Sequence, residues 1–349
     1  MLDTLYITRH GFRMPWRGNE VNLSPTGRPR DPVLTAHGVD QVKLLAEHFM
    51  SLPEEQRPQG IVSSPYYRCV QTSEPTSKAL GLPIHIEPGL AEWFPPVVPS
   101  TGPHPIPMRA STAAQYSDHV APASEWAPLA YPSRQGESIE ELHARARGVV
   151  KLIERRCEER GWKRVLLVSH AATIIALGRG LLDHGEGNEE AGPSTPKTDW
   201  STGSGREIGA GTAGLSLYVR PDSPCLPLSS THYTTSSPTA VLPPHPSSTW
   251  QQLLNGWCGH LPNGVEREWT FADIPGNVEE PGMGKDGKWV DEEMPDGGEE
   301  GMKRLEEAPF RILREGRESR RGGARRPVEG ERATMPRMEG EAEAPRSKF

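Results

Sequence analysis

Three short β-prone runs constrain the fold of this chain most, because each ends in a polar turn and is followed by a helical pattern. The runs are residues 5–8, 60–64 and 164–169. Between them, residues 35–50 and 137–154 place their apolar side chains on one helical face. Alternating strands and helices of this kind predict a three-layer α/β/α domain with a mainly parallel sheet.

The turns that follow these strands carry the polar residues of interest. The Ser-Pro pair at 64–65 is typical of an N-cap followed by proline in the first helical turn, and residues 171–182 begin a helical pattern directly after His170. In open α/β sheets, ligands bind beyond the carboxyl ends of the strands. We therefore expect His10, Arg68 and His170 to face one crevice.

The second half of the chain has a different composition. Hydrophobic residues make up 34% of the chain and the mean hydropathy is -0.61, and both values are low for a fully packed protein. The apolar runs thin out after about residue 185, where most of the prolines and glycines lie. We predict a domain over 1–222 with an inserted loop at 185–212 and a strand near 213–220, a Ser/Thr/Pro-rich linker at 223–249, a small β docking segment at 250–275 and a disordered charged tail at 276–349.

The segment 250–275 is rich in aromatic residues. Two short runs flank Asn263-Gly264, which is a strong signal for a hairpin turn. A lone hairpin is marginally stable in water, so a partner sheet is expected to complete it. The side chains expected to bind that partner are Trp250, Trp257, Trp269 and Phe271.

Several classes of protein are disfavoured by the sequence. No apolar run approaches the roughly 18 to 20 residues of a membrane span, and the first residues do not have the pattern of a secretion signal. The cysteines at positions 69, 157, 225 and 258 have no metal-site or disulfide spacing, so we expect free thiols. The net charge of -7 does not by itself indicate nucleic-acid binding. We expect a cytosolic or nuclear protein.

The triplet Arg9-His10-Gly11 at the end of the first run carries the clearest chemical signal. A neutral imidazole is nucleophilic near pH 7 and forms a phosphohistidine that water can hydrolyse. Phosphoryl transfer also needs cationic donors around the phosphate oxygens, and guanidinium groups suit them by their planar fork. Arg9, Arg13 and Arg68 are the candidates, and Gly11 is expected to let backbone and substrate approach closely.

Five segments together resemble the ordered motifs of the histidine phosphatase superfamily, which includes the phosphoglycerate mutases. They are TRHG (8–11), LTAHGVDQ (34–41), SSPYYRCVQT (63–72), GLAEW (89–93) and VSHAA (168–172). The resemblance covers roughly the first 220 residues. It implies that His10 is the nucleophile, that Arg9, Arg68 and His170 hold the phosphoryl group, and that Glu92 gives a proton to the leaving oxygen. It implies neither a metal nor another cofactor.

The turn after His10 departs from the mutase pattern, because residues 12–15 read Phe-Arg-Met-Pro. This also fits the RHGxRxP pattern of the acid phosphatase and phytase branch, in which Arg13 would bind phosphate. That branch has a His-Asp pair where this chain has His170-Ala171. We therefore favour the branch with a Glu92-type acid and with Arg13 as an additional phosphate ligand. A phosphatase is favoured over a mutase.

Alternative interpretations apply to single residues. Shielding by Trp93 and Phe94 is expected to raise the pKa of Glu92 and keep it protonated, although it also fits an ordinary surface carboxylate. His37 fits a structural or solvent-facing role better than a catalytic one. Cys69 lacks the CxxxxxR loop of cysteine phosphatases.

The segments RHGFR and GLAEW together with a long C-terminal extension resemble the fungal subunits of transcription factor IIIC that carry a histidine phosphatase domain. Residues 255–271 are similar to the small β-segment that joins those subunits to a larger partner. The resemblance implies a larger partner subunit bound through 250–275, DNA contacted only indirectly through the assembly, a phosphorylated substrate at His10, and a nuclear location with the cytoplasm as the alternative. The alternative function is a free-standing phosphatase of small-molecule or protein phosphomonoesters.

Overall fold

The computed structural model describes residues 1–14, 24–28, 30–105, 107–182, 208–221, 223, 249–274 and 310–312. These described residues fall within a single compact unit, Met1–Leu313. Most of the predicted loop, linker and tail lies outside the described residues, so their boundaries stay predictions.

A six-stranded sheet of order β3-β2-β5-β1-β6-β7 forms the centre of the fold. The first four strands in that order run parallel to one another, whereas β6 and β7 are antiparallel to their neighbours. The predicted mainly parallel sheet is thereby confirmed. The strands are β1 Thr4–Arg9, β2 Gly60–Ser63, β3 Ile84–Ile86, β5 Arg164–Ser169, β6 Leu215–Val219 and β7 Gln251–Trp257, and a separate antiparallel pair joins β4 Ala130–Pro132 to β8 Phe310–Ile312.

Helices cover the sheet and connect its strands. They are α1 Ala36–Ser51, α2 Tyr67–Leu80, the short α3 Ala110–Ala113, α4 Ile139–Glu159 and α5 Ala171–Leu182, with 3-10 turns at Glu54–Gln56, Pro88–Leu90 and Phe271–Asp273. Thr35 caps α1 by accepting a hydrogen bond from the amide of Gly38, and Ser138 and Glu141 form a capping box on α4. In the part of the chain that the structure describes, no helix combines the length and apolarity needed to cross a bilayer.

Alternate side chains of the central strands divide the core into two layers. Leu5 and Ile7 of β1 pack in the cluster that contains α4 and α5, whereas Tyr6 packs in the cluster that contains α1 and α2. Strand β5 alternates in the same way. Because strand side chains point to opposite faces with a period of two, this alternation is what a sheet buried on both faces requires.

Gly11 brings the turn after β1 against the start of α1. A Cβ atom at this position would lie 2.8 Å from the carbonyl oxygen of Gly38 and 2.9 Å from a methyl group of Val42. The amide of Thr35 also donates to the carbonyl of Phe12 at 2.9 Å. Because Gly11 has no side chain, the turn can contact the helix closely. The expectation from the sequence was a close approach of backbone and substrate at this position.

Helix α2 begins later than the Ser-Pro pair predicted. It starts at Tyr67, because the Ser64 hydroxyl contacts His170 Nε2 at 2.7 Å and is not used as a cap. Both carboxylate oxygens of Asp31 instead accept from the amide of Tyr67 at 3.0 Å. A carboxylate from a distant loop thus satisfies a donor at the helix N-terminus.

The C-terminal aromatic segment belongs to the main sheet. Strand β7 pairs antiparallel with β6, and Trp250, Trp257 and Phe271 are buried in the chain's own core. Trp269 is half-buried and packs against the same cluster as Trp250. This differs from the predicted docking hairpin, because β7 forms its backbone hydrogen bonds with β6 of the same chain.

The residues after the Asn263-Gly264 turn do not form a second strand in the described range 258–274. Their backbone is bonded elsewhere, since the amide of Thr212 donates to the carbonyl of Glu266 at 2.9 Å. Gly264 does adopt a positive φ of 67°, so the turn itself is present. The hairpin prediction was therefore wrong for the strands and correct for the turn.

Trp250 provides a test of this placement. The side chain is 1% exposed and its Nε1 donates to Glu154 at 2.8 Å. We expect Trp250→Ala to lower the free energy of unfolding by about 3–5 kcal/mol, because a large buried side chain is removed. Trp250→Phe, which keeps most of the buried ring, should cost about 1–2 kcal/mol. Urea unfolding measures both values, and a loss below about 1 kcal/mol for the alanine variant would instead indicate a side chain free to bind a partner.

Candidate active site

Four segments bring two imidazoles, a guanidinium and a carboxylate together, three of them following β1, β2 and β5 and the fourth following β3 and the 3-10 turn Pro88–Leu90. The His10 and His170 rings lie 5.4 Å apart between centroids. One ring nitrogen of each histidine and one oxygen of Glu92 lie within 4.8 Å of one another. His10, Arg68 and His170 are almost fully buried. The structure therefore brings together His10, Arg68 and His170, which the strand ends predicted to lie close to one another.

His10 is held in the neutral form that carries a free lone pair. Its Nδ1 lies 2.8 Å from the Gly11 carbonyl, which can only accept, so Nδ1 carries the proton and Nε2 is the unprotonated nitrogen. Burial, followed by the charges of Arg68 and Arg9, places the pKa of His10 well below its ordinary value. A neutral imidazole in a cationic surrounding is suited to attack an electrophilic anion.

Arg68, in the first turn of α2, is the centre of the site. Its Nη1 donates to Asp31 at 3.3 Å, and its Nη2 donates to Glu92 at 3.2 Å and to His170 Nδ1 at 3.0 Å. The guanidinium also lies over the Tyr66 ring at 4.5 Å. Asp31 was not identified from the sequence, because it lies outside every motif and reaches the site from a loop.

Arg9 is fixed by backbone carbonyls that come from late in the chain. Its Nη1 donates to the carbonyls of Ala210 and Arg267, each at 2.6 Å. Burial lowers the pKa of Arg9 to about 10, which leaves the group charged at neutral pH. Among the described residues, the Nε atoms of Arg9 and Arg68 are buried without a hydrogen-bond partner. Both guanidinium groups act electrostatically on the neutral His10, and such cationic donors suit the binding of an anion.

Arg13 adds a third guanidinium at the edge of the site. It is half-buried, and its backbone forms an isolated bridge with Leu34. Burial and then the charge of Arg68 lower the pKa of Arg13 to about 9. Its charge in turn helps to lower the pKa of Glu92, which places Arg13 within electrostatic reach of the site.

His170 is neutral at physiological pH. Since Arg68 can only donate, His170 Nδ1 accepts, and its Nε2 therefore carries the proton and donates to the Ser64 hydroxyl at 2.7 Å. Burial lowers the pKa of His170 to about 4, with Glu92 opposing and Arg68 assisting. Cys69 Sγ lies 3.5 Å from the same Nε2, but burial raises the pKa of this thiol, so a thiolate nucleophile is not formed.

Glu92 is ionised in the free site, which corrects the predicted protonated acid. Its Oε2 lies 3.2 Å from Arg68 and 3.3 Å from His170 Nδ1. Burial acts to raise the pKa of this carboxyl, but His170, Arg68 and Arg13 outweigh it and lower the pKa below the ordinary value. At neutral pH, where His170 is uncharged, the two guanidinium groups supply this effect.

The rings of Trp93 and Phe94, which were expected to shield Glu92, contact other groups. Trp93 donates from Nε1 to the carbonyl of Glu137 at 2.8 Å, and Phe94 stacks on His104 at 4.8 Å. Neither ring is bonded to the carboxylate, so the sequence neighbours do not set its pKa.

The backbone before Glu92 is held by buried polar side chains. Ser169 donates to the carbonyl of Leu90 at 2.7 Å, and Thr173 donates to that of Ala91 at 2.9 Å. Arg145, paired with the Glu137 carboxylate at 2.8 Å, also donates to the carbonyl of Ala91 at 3.2 Å. Ser169 ends β5 and Thr173 lies in α5, so these two residues flank His170 in sequence. Their hydrogen bonds to the backbone before Glu92 therefore fix the position of Glu92 relative to His170.

Anion binding fits the site better than metal binding. The ligand atoms of His10, Glu92 and His170 are close enough to share a metal ion. The charges of Arg9, Arg13 and Arg68 act on the same groups, and they disfavour a second cation there.

His37 lies beside this site without joining it. Its Nε2 contacts Glu266 at 2.5 Å, and its ring packs edge-on against Phe12. The expected structural role agrees with these contacts.

Comparison with known proteins identifies the region that carries the site. Residues 5–196 match the sequence profile of the histidine phosphatase superfamily, branch 1. The chain is 30% identical over 278 residues to the transcription factor tau 55 kDa subunit of Saccharomyces cerevisiae, which covers 78% of this chain and 59% of the yeast protein. It is 32% identical over 157 residues to the ubiquitin-associated and SH3 domain-containing protein B of Mus musculus, which covers 42% of this chain and 23% of the mouse protein.

Among solved structures, the chain is similar to the ecdysone phosphate phosphatase of Bombix mori in complex with tungstate. The TM-score is 0.45 with 18% identity, and the match covers 62% of this chain and 88% of that chain. The yeast and mouse relatives are both longer, and this chain spans less than two thirds of either.

The ionised state of Glu92 leads to a binding prediction. An incoming phosphate competes with the Glu92 carboxylate for Arg68, so Glu92→Gln should bind inorganic phosphate more tightly, by about fivefold. Isothermal titration calorimetry measures the affinity. Glu47→Gln, which removes one exposed negative charge from α1, serves as the matched control. Equal or weaker phosphate binding by the Glu92 variant would contradict competition between the Glu92 carboxylate and phosphate for Arg68.

Proposed function

Because the chain belongs to branch 1 of the histidine phosphatase superfamily, we propose that it hydrolyses phosphomonoesters through a phosphohistidine formed on His10. The observation that carries this proposal is the neutral His10 imidazole within electrostatic reach of Arg9 and Arg68, whose Nε donors have no hydrogen-bond partner among the described residues. A phosphoryl group placed there would meet a nucleophile on one side and fixed cations around its oxygens. The combination favours phosphoryl transfer over simple anion storage.

In the first chemical step, His10 Nε2 attacks phosphorus. The nitrogen–phosphorus bond forms while the bond from phosphorus to the ester oxygen breaks, and Arg9, Arg13 and Arg68 bind the phosphoryl oxygens. When the dianion binds, it replaces Glu92 at Arg68, and its negative charge raises the pKa of the carboxyl, which takes up a proton from solvent. The ester oxygen then leaves with that proton from Glu92.

In the second step, water attacks phosphorus and gives a proton to the Glu92 carboxylate. The nitrogen–phosphorus bond breaks, inorganic phosphate forms, and His10 returns to its neutral state. The negative charge of the phosphoryl group favours protonation of His170, so that its Nδ1 can donate to a phosphoryl oxygen while its Nε2 stays bonded to Ser64. A mutase would have to retain the phosphorylated intermediate, and the Phe-Arg-Met-Pro turn at 12–15 departs from the mutase pattern.

Turnover of p-nitrophenyl phosphate tests this function. We expect His10→Ala to lower kcat/KM by about 10³-fold or more, because the nucleophile is lost and the phosphate-binding cations alone remain. His119→Ala removes a partly exposed histidine far along the chain and is the matched control. A purified wild-type protein without turnover, or a His10→Ala variant with full turnover, would refute the proposal.

We also propose that the chain is a subunit of an assembly like transcription factor IIIC, in the nucleus, contacting DNA only through that assembly. The supporting observation is the length of the yeast similarity, since 278 residues exceed the 5–196 range of the phosphatase profile. The likeness therefore includes C-terminal residues that catalysis alone does not explain. The alternative, a free-standing phosphatase, predicts activity without a stable partner.

The contact with a larger subunit is proposed within residues 250–275. The buried aromatic side chains of this segment are used inside the chain, so the contact would use its exposed side chains, such as Gln251, Pro262 and Thr270.

Hydrogen exchange on the co-purified complex tests that contact. Amides of residues 259–273 should exchange at least about tenfold more slowly in the complex than in the isolated chain, because a bound partner covers them. Amides of the central strand β5 should not change. Purification from the native cell without transcription components, or a complex in which exchange over 259–273 is unchanged, would exclude this mode of assembly and leave the phosphatase proposal intact.

A further inference from the structure

Arg267 lies at the rim of the site, on the segment that follows β7. Its guanidinium is 3.8 Å above the Phe12 ring, and its Nη1 is 3.5 Å from the carbonyl oxygen of Arg13. Its positive charge lowers the pKa of both Arg9 and Arg13. The side chain is therefore adjacent to the phosphate-binding cations although it is distant from them in sequence.

The charge of Arg267 is not neutralised by a carboxylate in the part of the chain that the structure describes. Its acidic neighbours are engaged elsewhere, since Glu266 binds His37 and Gln41, and Glu268 accepts from the amide of Ala210. Arg267 is exposed, and among the described residues the one polar contact of its guanidinium is the carbonyl of Arg13. An exposed, preoriented guanidinium without a counter-ion is able to bind an anion from solution.

The backbone of Arg267 is held in an uncommon conformation. Its φ of 49° lies in the left-handed region, which residues with a side chain seldom adopt. In this conformation its carbonyl accepts from Arg9 while its side chain lies over Phe12. One residue thus contacts the pocket arginine through its backbone and extends a second cation over the rim.

We propose that Arg267 binds a second anionic group of the substrate, a carboxylate or a phosphate close to the phosphomonoester being hydrolysed. The proposal rests on the phosphatase function proposed above. Arg9, Arg13 and Arg68 suffice for the three phosphoryl oxygens that do not leave, so a fourth guanidinium at the rim is placed for the part of the substrate that leaves. The preferred substrate class is then a phosphomonoester with an acidic neighbour, and Arg267 acts as a specificity residue.

A matched series of esters tests the proposal. Phenyl phosphate carries one anionic group, whereas the ortho, meta and para carboxyphenyl phosphates add a carboxylate at increasing distance. At least one carboxylated isomer should have a kcat/KM about tenfold above that of phenyl phosphate, mainly through a lower KM. The phenylene bisphosphates, with phosphate in place of carboxylate, show which of the two anions is preferred.

Variants assign the preference to Arg267. Arg267→Gln should reduce the tenfold preference to about twofold or less while lowering phenyl phosphate turnover only by the loss of long-range attraction, about threefold or less. Arg267→Lys should keep part of the preference. Arg155→Gln, at an exposed position of α4, removes the same charge far from the site and should leave the preference intact.

Binding separates this proposal from catalysis. The His10→Ala protein, titrated by calorimetry with phenyl phosphate and its carboxylated isomers, should show the same order of affinities, and Arg267→Gln should remove it. A protein that binds with this preference but shows no turnover would refute the phosphatase function and retain the role of Arg267. Equal affinity for all esters, or equal loss for all esters on Arg267→Gln, would overturn the role of Arg267 whether or not the protein is active.

Discussion

The buried guanidinium of Arg68 is the interaction on which the rest of the site depends. A charged group without exposure is stable only where hydrogen bonds and opposite charge replace water. Here Asp31, Glu92 and His170 supply those contacts, and each comes from a different segment of the chain. Fixing one cation therefore fixes a loop, the turn after the 3-10 helix and the start of α5. The site is assembled by the same contacts that satisfy the buried charge.

The contacts around Arg68 also bear on the proposed chemistry. In the proposed mechanism, Glu92 occupies donors of Arg68 that an incoming phosphate needs, so the carboxylate competes with the substrate. Its ionisation follows from those cations, and the replacement of Glu92 by a dianion reverses the local field. Proton uptake by the carboxyl is then coupled to substrate binding, because the same event removes the cation contact and adds negative charge. In this mechanism, Glu92 can act as the acid although its carboxyl does not have a permanently raised pKa.

The sequence was most informative for those candidate site residues that directly follow the end of a strand. His10, Arg68 and His170 follow strand ends, so strand periodicity and the rule for ligands at carboxyl ends were enough to predict that they converge. The pKa of Glu92 could not be predicted in this way, because it depends on Arg68 and Arg13 rather than on its aromatic neighbours in sequence. Asp31 and the carbonyl of Arg267 gave no signal at all, since a loop carboxylate and a backbone oxygen carry no motif.

The C-terminal segment shows why composition alone did not predict which of its aromatic side chains are buried within the chain. Aromatic residues beyond a low-complexity stretch fit a docking element, but the antiparallel edge of β6 offers the same backbone bonds without a partner. Once β7 is bound there, the following turn lies close enough for Arg267 to hold Arg9. A segment that holds a phosphate-binding arginine cannot move without moving that arginine. A partner that bound residues 250–275, as proposed, would therefore contact an element continuous with the candidate active site.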